Sequence, residues 1–219
     1  MNIDTLSQPV QCFLVSPSRA YRSDLRDQQA ERTRELIAAA ARARFLGRGW
    51  AGTSVRSVAA EAGVSEATVY NVYGSKAGLA GSLIDAAEQS ADVQQAVTEL
   101  KERTGNPVEQ LRAFVAFDRR LYERGGDVIR ILSESRRQHP ELGAAYDEGR
   151  SRGDSQRRTL FASWPAAVWR PGIDVDRAIA IYAVLVSLES FDTATREYGW
   201  SPNQVQSWWH GTLAGLLLK

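Results

Sequence analysis

Apolar residues recur at intervals of three and four along most of this chain. From about Asp27 to Leu46, the residues Leu36, Ile37, Ala40, Ala41 and Phe45 fall at helical spacing, and Ala38–Ala41 has the highest intrinsic helix propensity. Gly47 and Gly49 end that helix. A short helix follows Gly52, with Thr53 or Ser54 as N-cap and Val55, Val58, Ala59 and Ala62 on one face. Gly63 breaks it, Ser65 caps a third helix with Val69 pointing inward, and Gly74-Ser75 precede a fourth beginning near Lys76. The pattern then predicts helices over about 76–96, 107–124, 126–138, 141–163, 174–198 and 202–218. Their breakers are Gly105-Asn106-Pro107, Gly125-Gly126, Pro140, Pro165, Pro171-Gly172 and Gly199 to Pro202. No window sustains a period of two with β-branched enrichment, so the predicted fold class is all-α. Residues 1–20 show no period and read as a mobile tail, or as a start codon placed too early.

Two late helices depart from simple amphipathicity. Ile179 to Val186 is nearly apolar all round, and a helix without a polar face is buried on all sides. The last helix carries Val205, Trp209, Thr212 and Leu216 on one stripe, with Trp208, Leu213 and Leu217 beside it. In a domain this small the pair suits a two-fold four-helix interface between copies; the alternative is that both helices are core.

Composition narrows the classes. With 43% apolar and 24% charged residues in 219, the chain is globular. One cysteine excludes an internal disulfide framework and a cysteine-only metal site. No apolar run approaches the length of a membrane span, and the first 20 residues do not form a secretory signal, so a cytoplasmic protein without a membrane partner is expected. The formal charge is only +1. It divides unevenly: residues 1–83 hold ten basic against seven acidic side chains, a net of +3, and the remainder is −2. The offset suits a polyanion-binding N-terminal part.

The segment from Thr53 to Tyr70 reads as helix, tight turn, helix. Ala59 is small where two short helices cross, Gly63 supplies the positive φ of a three-residue turn, and Val64 plugs the corner. Such a unit places its second helix in the major groove, N-terminus first. Outward on that helix are Ser65, Glu66, Thr68 and Asn71, over backbone N–H groups and a positive dipole end that suit a phosphate. Tyr70 and Tyr73 offer hydroxyls at the rim, and Lys76 a point charge for the DNA backbone.

Residues 33–79 resemble the DNA-binding domain of tetracycline-repressor (TetR) type transcriptional regulators. The resemblance rests on Thr33, Arg34, Ile37, Ala41, Phe45, Gly49, Trp50, Thr53-Ser54, Val58-Ala59, Ala62-Gly63-Val64-Ser65, Thr68-Val69-Tyr70, Tyr73, Ser75-Lys76 and Leu79, all in register. Departures are Arg42 and Arg44 where the family is apolar, Ala67 where Gly is common, Val72 for His, Tyr73 for Phe and Ala77 for an acid. The resemblance implies phosphate contacts from Thr53 or Ser54, Thr68, Tyr70, Tyr73 and Lys76. It implies base-edge contacts from Arg56, Ser65, Glu66, Ala67 and Asn71. Arg56 suits a guanine, Asn71 an adenine, and Ala67 a thymine methyl. Glu66 either accepts from a cytosine amino group or is a first-turn acid favoured by the dipole. Arg22, Arg26 and Arg32 are further candidates for the DNA backbone or minor groove.

The implied organisation is a tail over 1–26, a helix-turn-helix domain over 27–83, and a ligand-binding and dimerisation domain over 84–219. The implied function is a homodimeric regulator, expected to be a repressor, that binds double-stranded DNA at a palindromic operator and is released by a small-molecule effector, with no other cofactor. Candidate pocket residues are Phe114, Phe117, Asp118, Tyr122, Trp164, Trp169, Tyr182, Glu189 and Phe191. The C-terminal tryptophan pattern is similar to actinobacterial members. An enzyme is disfavoured because His139 and His210, the only histidines, lie in no metal or nucleophile motif. The other reading is a helix-turn-helix adaptor that binds a protein partner.

Overall fold

The computed structural model describes the backbone of residues 19–219 and the side chains of residues 25–219. The described residues are helical, with no strand beyond one isolated bridge between Trp169 and Leu218. The helices are α1 (Arg19–Arg48), α2 (Val55–Ala62), α3 (Glu66–Tyr73), α4 (Lys76–Ser90), α5 (Val93–Glu102), α6 (Pro107–Ser135), α7 (Pro140–Ala162), α8 (Val175–Leu185), α9 (Leu188–Asp192) and α10 (Pro202–Leu217). A π-turn over Thr193–Glu197 follows α9.

By its contacts the chain divides into two units, one ending at Glu35 and the other spanning Leu36–Lys219. In the first, α1 begins at Arg19 rather than near Asp27, because no Gly or Pro interrupts the sequence between Arg19 and Leu46. Thr33 donates to the Gln29 carbonyl and Arg34 pairs with Glu31. Arg26 and Arg32 are exposed; the Arg22 side chain and residues 1–18 of the expected tail lie outside the described residues.

In the second unit, one core gathers Ile37, Ala41 and Phe45 of α1 with Val58, Val69 and Leu79 of the next three helices. Leu36, expected inward, lies off that stripe and is exposed. This core continues into Val128 and Leu132 of α6 and Leu142 and Ala145 of α7. A second core joins α6, α7, α8 and α10 around Phe161, Tyr182, Trp209 and Leu213.

Three further expected boundaries move. First, the helix expected over 76–96 breaks at Ala91-Asp92, where Asp92 adopts φ 59°, the only positive φ outside glycine among the described residues. A left-handed non-glycine residue costs about 1 kcal/mol or more. Arg120 and Arg124 of α6 hold the break, donating to the Ala91 carbonyl at 2.8 Å and to the Asp92 carboxylate at 2.7 Å.

Second, α6 runs unbroken through Gly125-Gly126. These glycines serve close approach. A Cβ at position 125 would lie 2.5 Å from the Ala87 Cβ, so α4 packs directly onto the α6 backbone. Third, the helix expected over 174–198 stops at Val186. Ser187 and Ser190 form a reciprocal cap, and Ser190 also donates to the Leu185 carbonyl.

The stretch Val175–Glu197 is long and apolar enough to cross a bilayer by composition, with mean hydropathy 1.3. Its interruption at Ser187 and the burial of Ile179, Tyr182 and Phe191 make it a core segment instead. Neither late helix is buried all round in the single chain: Val184 is 80% exposed, and Trp208 and Leu216 are also exposed.

Candidate functional site

The turn between α2 and α3 is built locally. Ser54, not Thr53, caps α2, in a reciprocal pair with Ser57. Gly63 sits at φ 69°, and the Val64 N–H returns to the Ala59 carbonyl at 3.0 Å. Ser65 caps α3, its hydroxyl accepting from the Thr68 N–H at 3.1 Å and lying 2.8 Å from the Thr68 hydroxyl.

This geometry sorts the candidate contacts. Ser65, Glu66, Ala67, Tyr70 and Asn71 are exposed along α3, as is Arg56 of α2, whose side chain is 86% exposed. Arg56 Nε lies 3.7 Å from Glu66, an ion pair across the turn. Thr68 is half-buried beside Ser65. Thr53 does not join them. It is 3% exposed and donates to the Gly49 carbonyl at 2.8 Å, closing the turn after α1. Tyr73 is half-buried against the core.

Lys76 is also committed within the chain. Its ammonium donates to the Trp50 carbonyl and stands 4.1 Å from the Trp50 ring centroid. Burial pulls its pKa below the ordinary value, partly opposed by Glu141. Trp50 Nε1 in turn donates to Glu141 at the start of α7, at 3.1 Å. The two arginines that depart from the family pattern are equally purposeful. Arg42 pairs with Asp127 of α6 at 2.7 Å and donates to the Arg124 carbonyl, while Arg44 pairs with Glu61 of α2. Arg42 and Trp50 thus tie α1 and the turn after it to α6 and α7, and Arg44 ties α1 to α2.

A cavity of about 120 Å³ lies between α4, α6, α7 and the α8–α9 junction. Five candidates line it: Phe114, Phe117, Asp118, Tyr122 and Glu189. The other four do not. Trp164, Trp169, Tyr182 and Phe191 belong to the adjoining aromatic core, where Trp164 donates to Gln110 at 2.8 Å and its ring lies 5.2 Å from that of Trp169.

Asp118 is 4% exposed. Its Oδ2 accepts from the Tyr182 hydroxyl at 2.7 Å and from Arg157 at 3.4 Å. Burial raises its pKa, against the pull of Arg157 and Tyr182. Burial opposes the Arg157 cation, but Asp118, Tyr182 and Asp154 outweigh it and keep its pKa high. The guanidinium also lies 4.9 Å from the Tyr182 ring, and its Nε is a buried donor with no acceptor among the described residues.

Glu88, Tyr146 and Arg157 line the cavity without having been singled out in the sequence. Their signals are weak, because separate helices bring them together. Gly149 and Gly153, one turn apart on α7, were the nearest cue: both line the space, and a Cβ at 149 would crowd Ile84 at 3.1 Å. No group of His, Cys, Asp and Glu among the described residues is arranged to hold a metal ion.

Residues 37–83 match the model of bacterial regulatory proteins of the tetR family. No curated protein matches the chain. Among solved structures, a TetR-family transcriptional regulator from Rhodococcus sp. superposes with TM-score 0.68 at 17% identity, covering 85% of this chain and 99% of that one. A transcriptional regulator from Saccharomonospora viridis, in complex with choline, gives 0.63 at 18%, covering 85% and 97%. The TetR-family transcriptional regulator PfmR from Thermus thermophilus gives 0.56 at 19%, covering 84% and 99%. At these identities the likeness is one of fold.

Proposed function

From a chain whose residues 37–83 carry the TetR-family helix-turn-helix DNA-binding domain, we infer a dimeric, ligand-responsive repressor of transcription acting in the cytoplasm. The observation that carries this reading is the exposed start of α3, where Arg56, Ser65, Ala67 and Asn71 flank a capped helix N-terminus over a glycine turn. Ser54, Thr68, Tyr70, Tyr73 and Lys76 supply the candidate phosphate contacts. Thr53 supports the reading only indirectly, by holding the turn.

Two copies would present two α3 helices about one DNA turn apart to a palindrome. The exposed apolar residues Val184, Trp208 and Leu216 on α8 and α10 favour that pairing. The cavity beside α4 favours a small-molecule effector, as does the choline complex of the similar Saccharomonospora viridis structure. α4 starts immediately after α3 and lines the cavity through Ile84 and Glu88. A ligand that binds two positions of α4 with different affinity would therefore change the spacing of the recognition helices.

A gel-shift on the DNA upstream of the chain's own gene tests the reading. Salt-sensitive, palindrome-dependent retardation is expected, whereas no binding at low salt overturns it and leaves the protein-binding adaptor.

A further inference from the structure

We propose that the cavity between α4, α6 and α7 selects a small organic cation: an amine of single positive charge carrying one aromatic ring. This rests on the reading of that cavity as the effector site.

The size sets the ring count. A cavity of about 120 Å³ is of the order that holds a single aromatic ring. Phe117, Tyr122 and Tyr146 line it, and aromatic faces attract cations as well as rings. Exposed Arg150, Gln156 and Glu189 sit at its mouth, where the first and last offset each other in charge.

The charge sign follows from the interior. Glu88 and Asp118 both line the cavity. Arg152 is shared between Glu88 at 3.4 Å and Asp85 at 2.9 Å. Arg157 is shared between Asp118 at 3.4 Å and Asp154 at 2.9 Å. Apart from Arg150 and Glu189 at the mouth, the charged residues lining the cavity are thus Glu88, Asp118 and Arg157. Each guanidinium beside them is shared with a second carboxylate outside the lining, so the interior carries one excess negative charge when all three are ionised. Both hydrogen bonds to Asp118 fall on Oδ2, so Oδ1 accepts none among the described residues.

Burial raises the pKa of Glu88 and of Asp118; the charge of Asp118 adds to the rise at Glu88, and that of Asp154 to the rise at Asp118. A cation placed between Glu88 and Asp118 would relieve both. The Nε of Arg157, with no acceptor among the described residues, would favour an acceptor on the ligand.

Calorimetric titration of the full chain with phenethylamine, phenethyl alcohol and phenylacetate separates the possibilities, since the three probes share a ring and differ in charge. Phenethylamine should bind at least about tenfold more tightly than the alcohol, the size of one charge-assisted hydrogen bond. Phenylacetate should bind more weakly than either. Glu88→Gln should reduce the amine preference severalfold and leave the alcohol unchanged; Asp118→Asn, provided its thermal transition is retained, should reduce it further. Equal or tighter binding of the alcohol or of phenylacetate overturns the cation and leaves the effector site standing. A preference unchanged in Glu88→Gln overturns the assignment of these carboxylates. Absence of binding by all three probes at about 10 mM removes the effector site as well.

Discussion

Lys76 holds the Trp50 carbonyl and covers its ring, which leaves the remaining donors of the ammonium for a phosphate. Lys76→Met keeps the aliphatic stem and loses the charge. It should lower unfolding stability by about 1–2 kcal/mol, from one hydrogen bond and one cation–π contact, as read by urea denaturation. In a salt titration of operator binding it should flatten the slope by about one charge; an unchanged slope would take Lys76 off the contact list. Asp118 makes a prediction in pH. Its folded pKa is raised above 3.8, so the native state holds the proton more tightly than the unfolded chain. That contribution is complete below the unfolded value and is lost as pH rises through the folded one. Asp118→Asn removes the titration. Relative to the parent chain, the variant should gain stability as pH rises from the unfolded value through the folded one, measured by denaturant midpoints across that rise. A constant difference would show that Asp118 titrates alike in both states.

At the scale of the elements, Gly125 sets two effects against each other. Alanine is favoured over glycine in a helix interior by about 1 kcal/mol. Here the added Cβ would meet the Ala87 Cβ at 2.5 Å and its Cα at 3.2 Å, both on a packed helix that cannot turn away. Overpacking of this kind costs about 1–3 kcal/mol, so Gly125→Ala should destabilise despite its propensity, seen as a lower melting temperature. The same residue explains what the sequence concealed. Gly125-Gly126 looks like punctuation because the cue is local, whereas its cause lies on α4. The break at Asp92 carries no glycine or proline because Arg120 and Arg124 impose it from α6. By contrast α2, the Gly63 turn and α3 were legible almost to the residue, since caps and turn belong to one short segment. Of the residues singled out around that turn, Thr53 lies elsewhere than expected: it is buried, with the Gly49 carbonyl as its partner. In the cavity, Phe114, Phe117 and Asp118 stand on one helix and were readable together; Glu88 and Arg157 arrive from two others.

For the whole molecule, the apolar residues left exposed on α8 and α10 matter most. Val184 is 80% exposed, so Val184→Glu should alter the stability of a single chain by no more than about 0.5 kcal/mol. In a dimer it would place a charge in an apolar interface. Sedimentation velocity should therefore find the variant dissociated under conditions where the parent chain is paired, and operator affinity should fall with it. A variant that stays dimeric would move the interface elsewhere. Arg42, one of the departures in the first helix, belongs to this scale too, since it reaches Asp127 and joins α1 to α6.

The junction of Trp50, Lys76 and Glu141 has an optical consequence. Trp50 is the only tryptophan before Trp164, and its indole lies between a cation above the ring and a carboxylate at its N–H. Charges so placed shift the emission of an indole, so any motion of α4 or α7 at this joint rewrites the local field and changes its colour. With the other five tryptophans replaced by phenylalanine, the chain would carry its own fluorophore where α4 and α7 meet the turn after α1, and the motion could be followed in solution without a dye.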